Sequence, residues 1–334
     1  MKKYLVLFTI LSVMLVLLCG CNPKDDSENT FEIIWACSGQ EGTALHRAAL
    51  EFKKAVEEKT NGQVKIELAW GGVYGGDREM VDSQMRGDIQ MVYTSDIGYG
   101  TCIPEIGFVN LPYLFSDHDT VDEYYYNGFI GEKIKELLLN KGLRVLGWGE
   151  NEFRALTANK PIATLNDLKG LKIRVPEFPS LLAFFQDLGA NPTPMAFTEV
   201  LTALQQSTID GQDNGPTLTV TQKFYEVQDY FIWTNHVYSG CAITINEDYF
   251  KTLPEDIQQI LMEEGERCGE LAIKWNREDI DGYVKVMEDY GLTIMDLSEE
   301  LKEEFKKASK KVWEQFADEY DDDVMEKIFQ ELGD

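Results

Sequence analysis

Residues 171–214 read LKIRVPEFPSLLAFFQDLGANPTPMAFTEVLTALQQSTIDGQDN. Leu171, Ile173 and Val175 alternate with Lys172 and Arg174, the period of a half-buried strand over 172–175. Pro176 stops that strand, because proline has no N–H for a sheet ladder. Apolar spacing predicts helices over 178–187 and 197–206, and 207–213 reads as a further strand. Strands alternating with helices imply a parallel sheet with crossover connections. By pattern alone Lys172 and Arg174 share the solvent face. Pro176 nevertheless places Arg174 near the end of its strand, where open sheets of this kind build sites. A planar guanidinium on a rigid strand suits a carboxylate, because its fork of donors matches two oxygens.

Upstream, the same alternation recurs. Strands are predicted over 31–36, 63–69 and 88–93, with helices over 43–59 and 77–86 between them. Loops 37–43, 70–77 and 94–102 then leave the carboxyl ends of these strands and point to a common cleft. Further strands are expected over 143–149, 153–157 and 240–245, the last returning to the first unit. A helical pattern from 254 to about 290 is long enough to cross two lobes, and 298–320 and 323–332 are further helices. No internal repeat occurs. Several crossings between two lobes act together as a hinge.

The segment Arg174-Val-Pro176, the run Pro192-Thr-Pro-Met-Ala-Phe197 and Asp210-Gly-Gln-Asp-Asn214 closely resemble the solute-binding proteins of tripartite ATP-independent periplasmic (TRAP) transporters, the DctP-like family. The resemblance runs from about residue 31 to 332. It implies an α/β, two-lobed Venus-flytrap fold with a long helix shared by both lobes. The lobes expected are 31–151 with 240–279, and 152–239 with 280–334. It also implies that Arg174 grips the carboxylate of an organic acid, that Asn214 hydrogen-bonds the same acid group, and that Arg154 supplies a second cation. Phe197 matches a residue that packs on the ligand, although a core phenylalanine fits the pattern equally well. Many relatives carry glycine where this chain has Glu152, which puts the local loop geometry in question.

In the first lobe Ser38, Gln40, Asp77 and Ser95 fall in the cleft-facing loops, where relatives read the other end of the ligand. Asp77 also opens a helix, where aspartate is common simply as a cap. Trp148 and Tyr93 are candidate aromatic walls. Trp148, Glu150, Asn151 and Gln40 would offer a ring face and hydroxyl partners to a sugar acid such as a uronate, whereas two arginines would suit a C4-dicarboxylate.

The N-terminus carries Lys2 and Lys3, an apolar run of about 15 residues, and Leu18-Cys-Gly-Cys21. This describes a secretory signal over 1–20 of lipoprotein type, shorter than the roughly 20 residues that span a bilayer. Cys21 would carry the lipid and 21–30 would form a flexible tether. The expected location is therefore exported and anchored at the outer face of the cytoplasmic membrane, or periplasmic where an outer membrane exists.

Net charge is −27, and removal of Lys2 and Lys3 makes it more negative still. So acidic a surface excludes nucleic acid as a partner. It does not exclude an anionic ligand, because distant surface charges are screened beyond about 8 Å at physiological salt. Cys37, Cys102, Cys241 and Cys268 stay in the mature chain. Their wide spacing argues against a structural zinc site, and they are either disulfide-bonded or buried thiols. His46, His118 and His236 are far apart, and no HExxH, GxSxG or phosphate-binding loop occurs. No metal, cofactor or catalytic residue is expected. The leading expectation is a binding protein that passes an organic acid to small and large TRAP membrane subunits. The rivals are a binding lipoprotein of an ABC importer, and an extracellular enzyme acting on acidic sugars.

Overall fold

The computed structural model describes residues 30–333. The expected signal segment, Cys21 and the tether apart from Thr30 lie outside the described residues. The chain opens with β1 (Phe31–Cys37), β2 (Val64–Ala69), β3 (Met91–Ser95) and the long β4 (Leu143–Phe153). It then crosses to a second sheet and lays down β5 (Leu156–Ala158), β6 (Lys172–Val175), β7 (Asn191–Pro194), β8 (Gly211–Asp213) and β9 (Tyr230–Trp233). It returns as β10 (Tyr238–Asn246), runs through the helix Glu255–Tyr290 and ends the second sheet with β11 (Thr293–Asp296). The sheet orders are β2-β1-β3-β10-β4 and β11-β9-β5-β8-β6-β7.

The expected parallel core of the first sheet is present, since β1 pairs in parallel with both β2 and β3. The returning strand β10 runs antiparallel between β3 and β4. The helix Ala44–Lys59 covers this sheet through Leu45, Ala48, Ala49, Phe52 and Val56, all buried. The Thr43 side chain accepts from the His46 N–H and caps its first turn.

Three expectations differ in detail. The strands expected at 143–149 and 153–157 are one eleven-residue strand followed by a short one, because β4 keeps pairing with β10 across two register shifts. The strand expected at 207–213 begins only at Gly211, since Ser207 turns back at φ 54°. The segment 101–142, left without elements by its sequence pattern, holds the helix Phe129–Asn140 and a dense aromatic cluster with β4 and β10.

The long helix lies directly on β4 because glycine lets two backbones touch. A Cβ at Gly265 would meet Leu146 Cβ at 2.6 Å, and one at Gly269 would meet the Trp148 carbonyl oxygen at 2.3 Å. Backbone cannot yield as a side chain can. Gly269→Ala is therefore expected to destabilise the protein by about 1–3 kcal/mol, the usual cost of overpacking. Urea unfolding checks this, and an unchanged midpoint would show that the helix can lift off the strand freely.

The helix Glu299–Phe316 after β11 ties the segment after β3 to the helices of the second sheet. Ser309 Oγ and Trp313 Nε1 both donate to the Pro112 carbonyl, at 2.8 and 2.9 Å, while Phe305 meets Phe184 edge-on. Among the described residues, no helix is long and apolar enough to cross a membrane.

Candidate functional site

A cleft lies where the two sheets face each other. The loops after β1 and β3 and the start of the helix Asp77–Met85 form one wall. Arg174, Phe197, Asn214 and Arg154 form the other, and Ala272 and Asn276 of the long helix close the back.

Arg174 stands on β6 beside β8, level with Gln212. Its side chain is only 3% exposed, so the alternation that would turn it to solvent with Lys172 does not hold. Nε and Nη2 both donate to the Met195 carbonyl, at 3.2 and 2.9 Å. The guanidinium carbon lies 5.9 Å from the Phe197 ring centroid, within cation–π range. Among the described residues it makes no ion pair. Burial lowers its pKa to about 10, with Asp213 pulling the other way, so it stays charged at neutral pH.

Asn214, two places beyond Gln212, is also buried. Its Nδ2 donates to Gln212 Oε1 at 2.5 Å, which leaves the second N–H of the amide for another acceptor. Arg154 borders the cleft too, but it is not a free second cation. Its Nε and Nη2 each lie 3.0 Å from an Asp213 carboxylate oxygen, and Nη2 also donates to the Asp213 carbonyl. His236 completes the group, with Nε2 3.6 Å from Asp213 Oδ2 and Nδ1 2.7 Å from Thr234 Oγ1. Burial pushes the Asp213 carboxyl up, but Arg154 and His236 outweigh it and hold the group below the ordinary range. Burial lowers the His236 pKa in turn. Spacing gives no signal for this trio, because its members come from three separate parts of the chain.

The other expected site residues divide. Asp77 and Ser38 face the cleft together, with Ser38 Oγ donating to Asp77 Oδ1 at 3.0 Å. Asp77 is not the cap, because Gly76 precedes the helix and its N–H goes to Glu79 Oε2 at 3.0 Å. Ser95 borders the cleft, and its Oγ accepts from the Gly98 N–H and caps the turn Asp96–Gly100, which leaves its own O–H to donate. Gln40 sits exposed at the mouth and donates to Gln222 Oε1 of the opposite wall at 3.3 Å. Tyr93 and Asn151 border the cleft as expected.

Glu150 reaches the cleft, but its carboxylate is committed to Arg277 Nε at 3.1 Å, Tyr238 Oη at 2.6 Å and Asn276 Nδ2 at 3.3 Å. Trp148 does not border the cleft. Its ring packs edge-on to Tyr125 at 5.3 Å under the Lys135 ammonium, so the aromatic segment 122–135 takes it instead. Glu152 adopts the left-handed conformation, φ 67°, which glycine enters without strain. Here the Thr217 N–H and hydroxyl, at 2.7 and 3.0 Å, hold its carboxylate in place, and burial raises its pKa well above the usual value. Thr217, Leu218 and Asn276 border the cleft without any signal in the motif pattern.

The walls touch across the mouth. Besides Gln40 and Gln222, Arg78 and Glu177 lie 3.7 Å apart. Cys37, Cys102, Cys241 and Cys268 are free thiols, and among the described residues no His, Cys, Asp or Glu group could hold a metal.

Comparison with known proteins gives one answer. Residues 36–319 match the DctP family, bacterial extracellular solute-binding protein family 7. The chain is 33% identical over 255 residues to the 2,3-diketo-L-gulonate-binding periplasmic protein YiaO of Escherichia coli, covering 75% of this chain and 76% of that one. It is 30% identical over 267 residues to the C4-dicarboxylate-binding protein DctB of Bacillus subtilis, covering 78% and 75%. The sugar acid-binding protein DctPAm of Advenella mimigardefordensis, solved with galactonate, superposes with a TM-score of 0.86 at 27% identity over 90% of this chain and 97% of that one. The match confirms the two-lobed binding-protein fold and sets aside both rivals, because the family consists of TRAP solute-binding proteins and not enzymes. The chain belongs to the DctP family and is an extracytoplasmic solute-binding protein of the TRAP type for small organic acids.

Proposed function

We propose that Arg174 and Asn214 together hold the carboxylate of the captured acid, and that the lobes 31–151 with 240–279 and 152–239 with 280–334 close over the rest of it. The observation that carries this reading is a charged, buried guanidinium bordering the cleft that makes no ion pair among the described residues. Leaving such a charge buried and unmatched is costly, and an incoming carboxylate removes that cost. Charge-assisted hydrogen bonds contribute about 1.5–3 kcal/mol each. A micromolar complex needs about 8 kcal/mol, which three or four polar contacts and packing on Phe197 supply. The relatives named above bind sugar acids and C4-dicarboxylates, and this chain takes an acid from that range. The chain is anchored through a lipid on Cys21, a proposal that rests on the Leu-Cys-Gly-Cys signal. Membrane fractionation of Cys21→Ser tests it.

The function is tested by denaturing protein purified from its native host and identifying what is released by mass spectrometry. A stoichiometric small carboxylic acid, absent from Arg174→Ala, is the expected result. A neutral or cationic molecule retained by both proteins would refute carboxylate capture.

A further inference from the structure

We infer that this cleft selects acids with one carboxylate and a hydroxyl-rich remainder, and rejects dicarboxylates of the same size. This rests on the reading that Arg174 receives the carboxylate.

The inference comes from the charges that border the cleft. Among the described residues they are Arg154, Arg174, Asp77 and Glu150. Asp213 matches Arg154 through two contacts at 3.0 Å. Arg277 pairs with Glu150 at 3.1 Å while its other edge holds Asp122 at 2.7 and 2.9 Å, and Tyr238 and Asn276 donate to Glu150 as well, so this cation is already shared by two carboxylates. Two groups stay unpaired. Of the four, Arg174 is the one cation that makes no ion pair, although Asp213 and Asp77 favour its charge from farther away, and Asp77 is the one anion that makes none, with the Ser38 hydroxyl on Oδ1.

A dianion that places its first carboxylate on Arg174 therefore finds no second free cation. Its other charge is enclosed with Asp77, and like charges in a shared site repel strongly. A hydroxylated tail meets the opposite situation. Hydroxyls donate, and a carboxylate is an acceptor with room for several such bonds. Ser38, Asn151 and Thr217 lie around the same space and supply further neutral partners. Phe197 and Ala272 offer apolar surface to the C–H side of a sugar chain or ring. The count of two arginines, which in the sequence alone would suit a C4-dicarboxylate, changes meaning once Asp213 claims one of them.

The test uses calorimetry on the full mature protein with hexonates and hexuronates, each beside the hexarate of the same configuration, together with succinate and malate. The best monoacid is expected to bind about 100-fold or more tightly than its matched hexarate, as a site rejects an analogue that strands a polar group. A hexarate or C4 diacid that binds as tightly as the best monoacid overturns the inference while leaving carboxylate capture intact. No binding by any acid overturns both. Asp77→Asn is expected to weaken the best monoacid about tenfold and to shrink its lead over the hexarate, since charge repulsion is gone and one acceptor is lost. An unchanged ratio in a variant that melts like the parent without ligand removes Asp77 from the account. Should that variant not fold, the parent's ratio still decides the selectivity.

Discussion

Arg174→Lys is expected to lose nearly as much affinity for the captured acid as Arg174→Ala, with both at least about 100-fold weaker than the parent, as two charge-assisted bonds of about 1.5–3 kcal/mol imply. The geometry explains why a retained positive charge is insufficient. Met195 already takes Nε and one Nη2 hydrogen of Arg174. What remains is the Nη1–Nη2 edge, two parallel donors that match the two oxygens of one carboxylate. A lysine ammonium is a compact point charge on a flexible stem and cannot serve Met195 and both ligand oxygens in one plane. The cation–π contact with Phe197 fixes the guanidinium plane further and is lost in the same exchange. Calorimetry with the acid found on the purified protein measures the effect. A lysine variant close to parental affinity would show that net charge, and not the two-pronged geometry, holds the ligand.

The sequence made Arg174 visible because a motif surrounds it. The β-α-β order of residues 31–95 is equally legible, since the helix 44–59 carries its apolar residues at three- and four-residue spacing and the strands are short, apolar runs or alternating ones such as Val64–Ala69. Other features were hidden for physical reasons. Trp148, expected as an aromatic wall of the cleft, has its environment decided by Tyr125 and Lys135, which no local pattern connects to β4. Glu152 occupies a left-handed position through contacts with Thr217 and so departs from the rule that glycine belongs there. Most consequential is Arg154. Its residue type was readable, but its electrostatic role depends on Asp213 and His236, which tertiary structure alone brings to it.

That trio supports the second large effect. Asp213→Ala is expected to lower stability by about 3–5 kcal/mol at pH 7, because it leaves the Arg154 guanidinium buried without its partner. Urea unfolding measures this, and its pH dependence has a definite sign. The folded pKa of Asp213 is depressed, so its contribution is present above the unfolded value of about 3.9 and is lost as pH falls through the lower folded value. The gap between variant and parent should therefore persist from pH 8 to about 4 and close only below that. His236 adds to the gap only once pH falls through the parent's own folded His236 pKa, which lies below the unfolded value of about 6.5. Burial lowers its pKa while Asp213 raises it, so the variant's histidine resists protonation more strongly than the parent's and costs more as pH falls. A gap that shrinks from pH 7 to pH 5 would contradict this assignment. Asp213→Asn gives the complementary readout. It keeps the side-chain shape but removes the charge that matches Arg154, and so adds a second free cation to the cleft. Hexarate binding should then approach that of the matched hexonate, since the property that excludes a second carboxylate is the pairing of Arg154 and not the shape of the cavity.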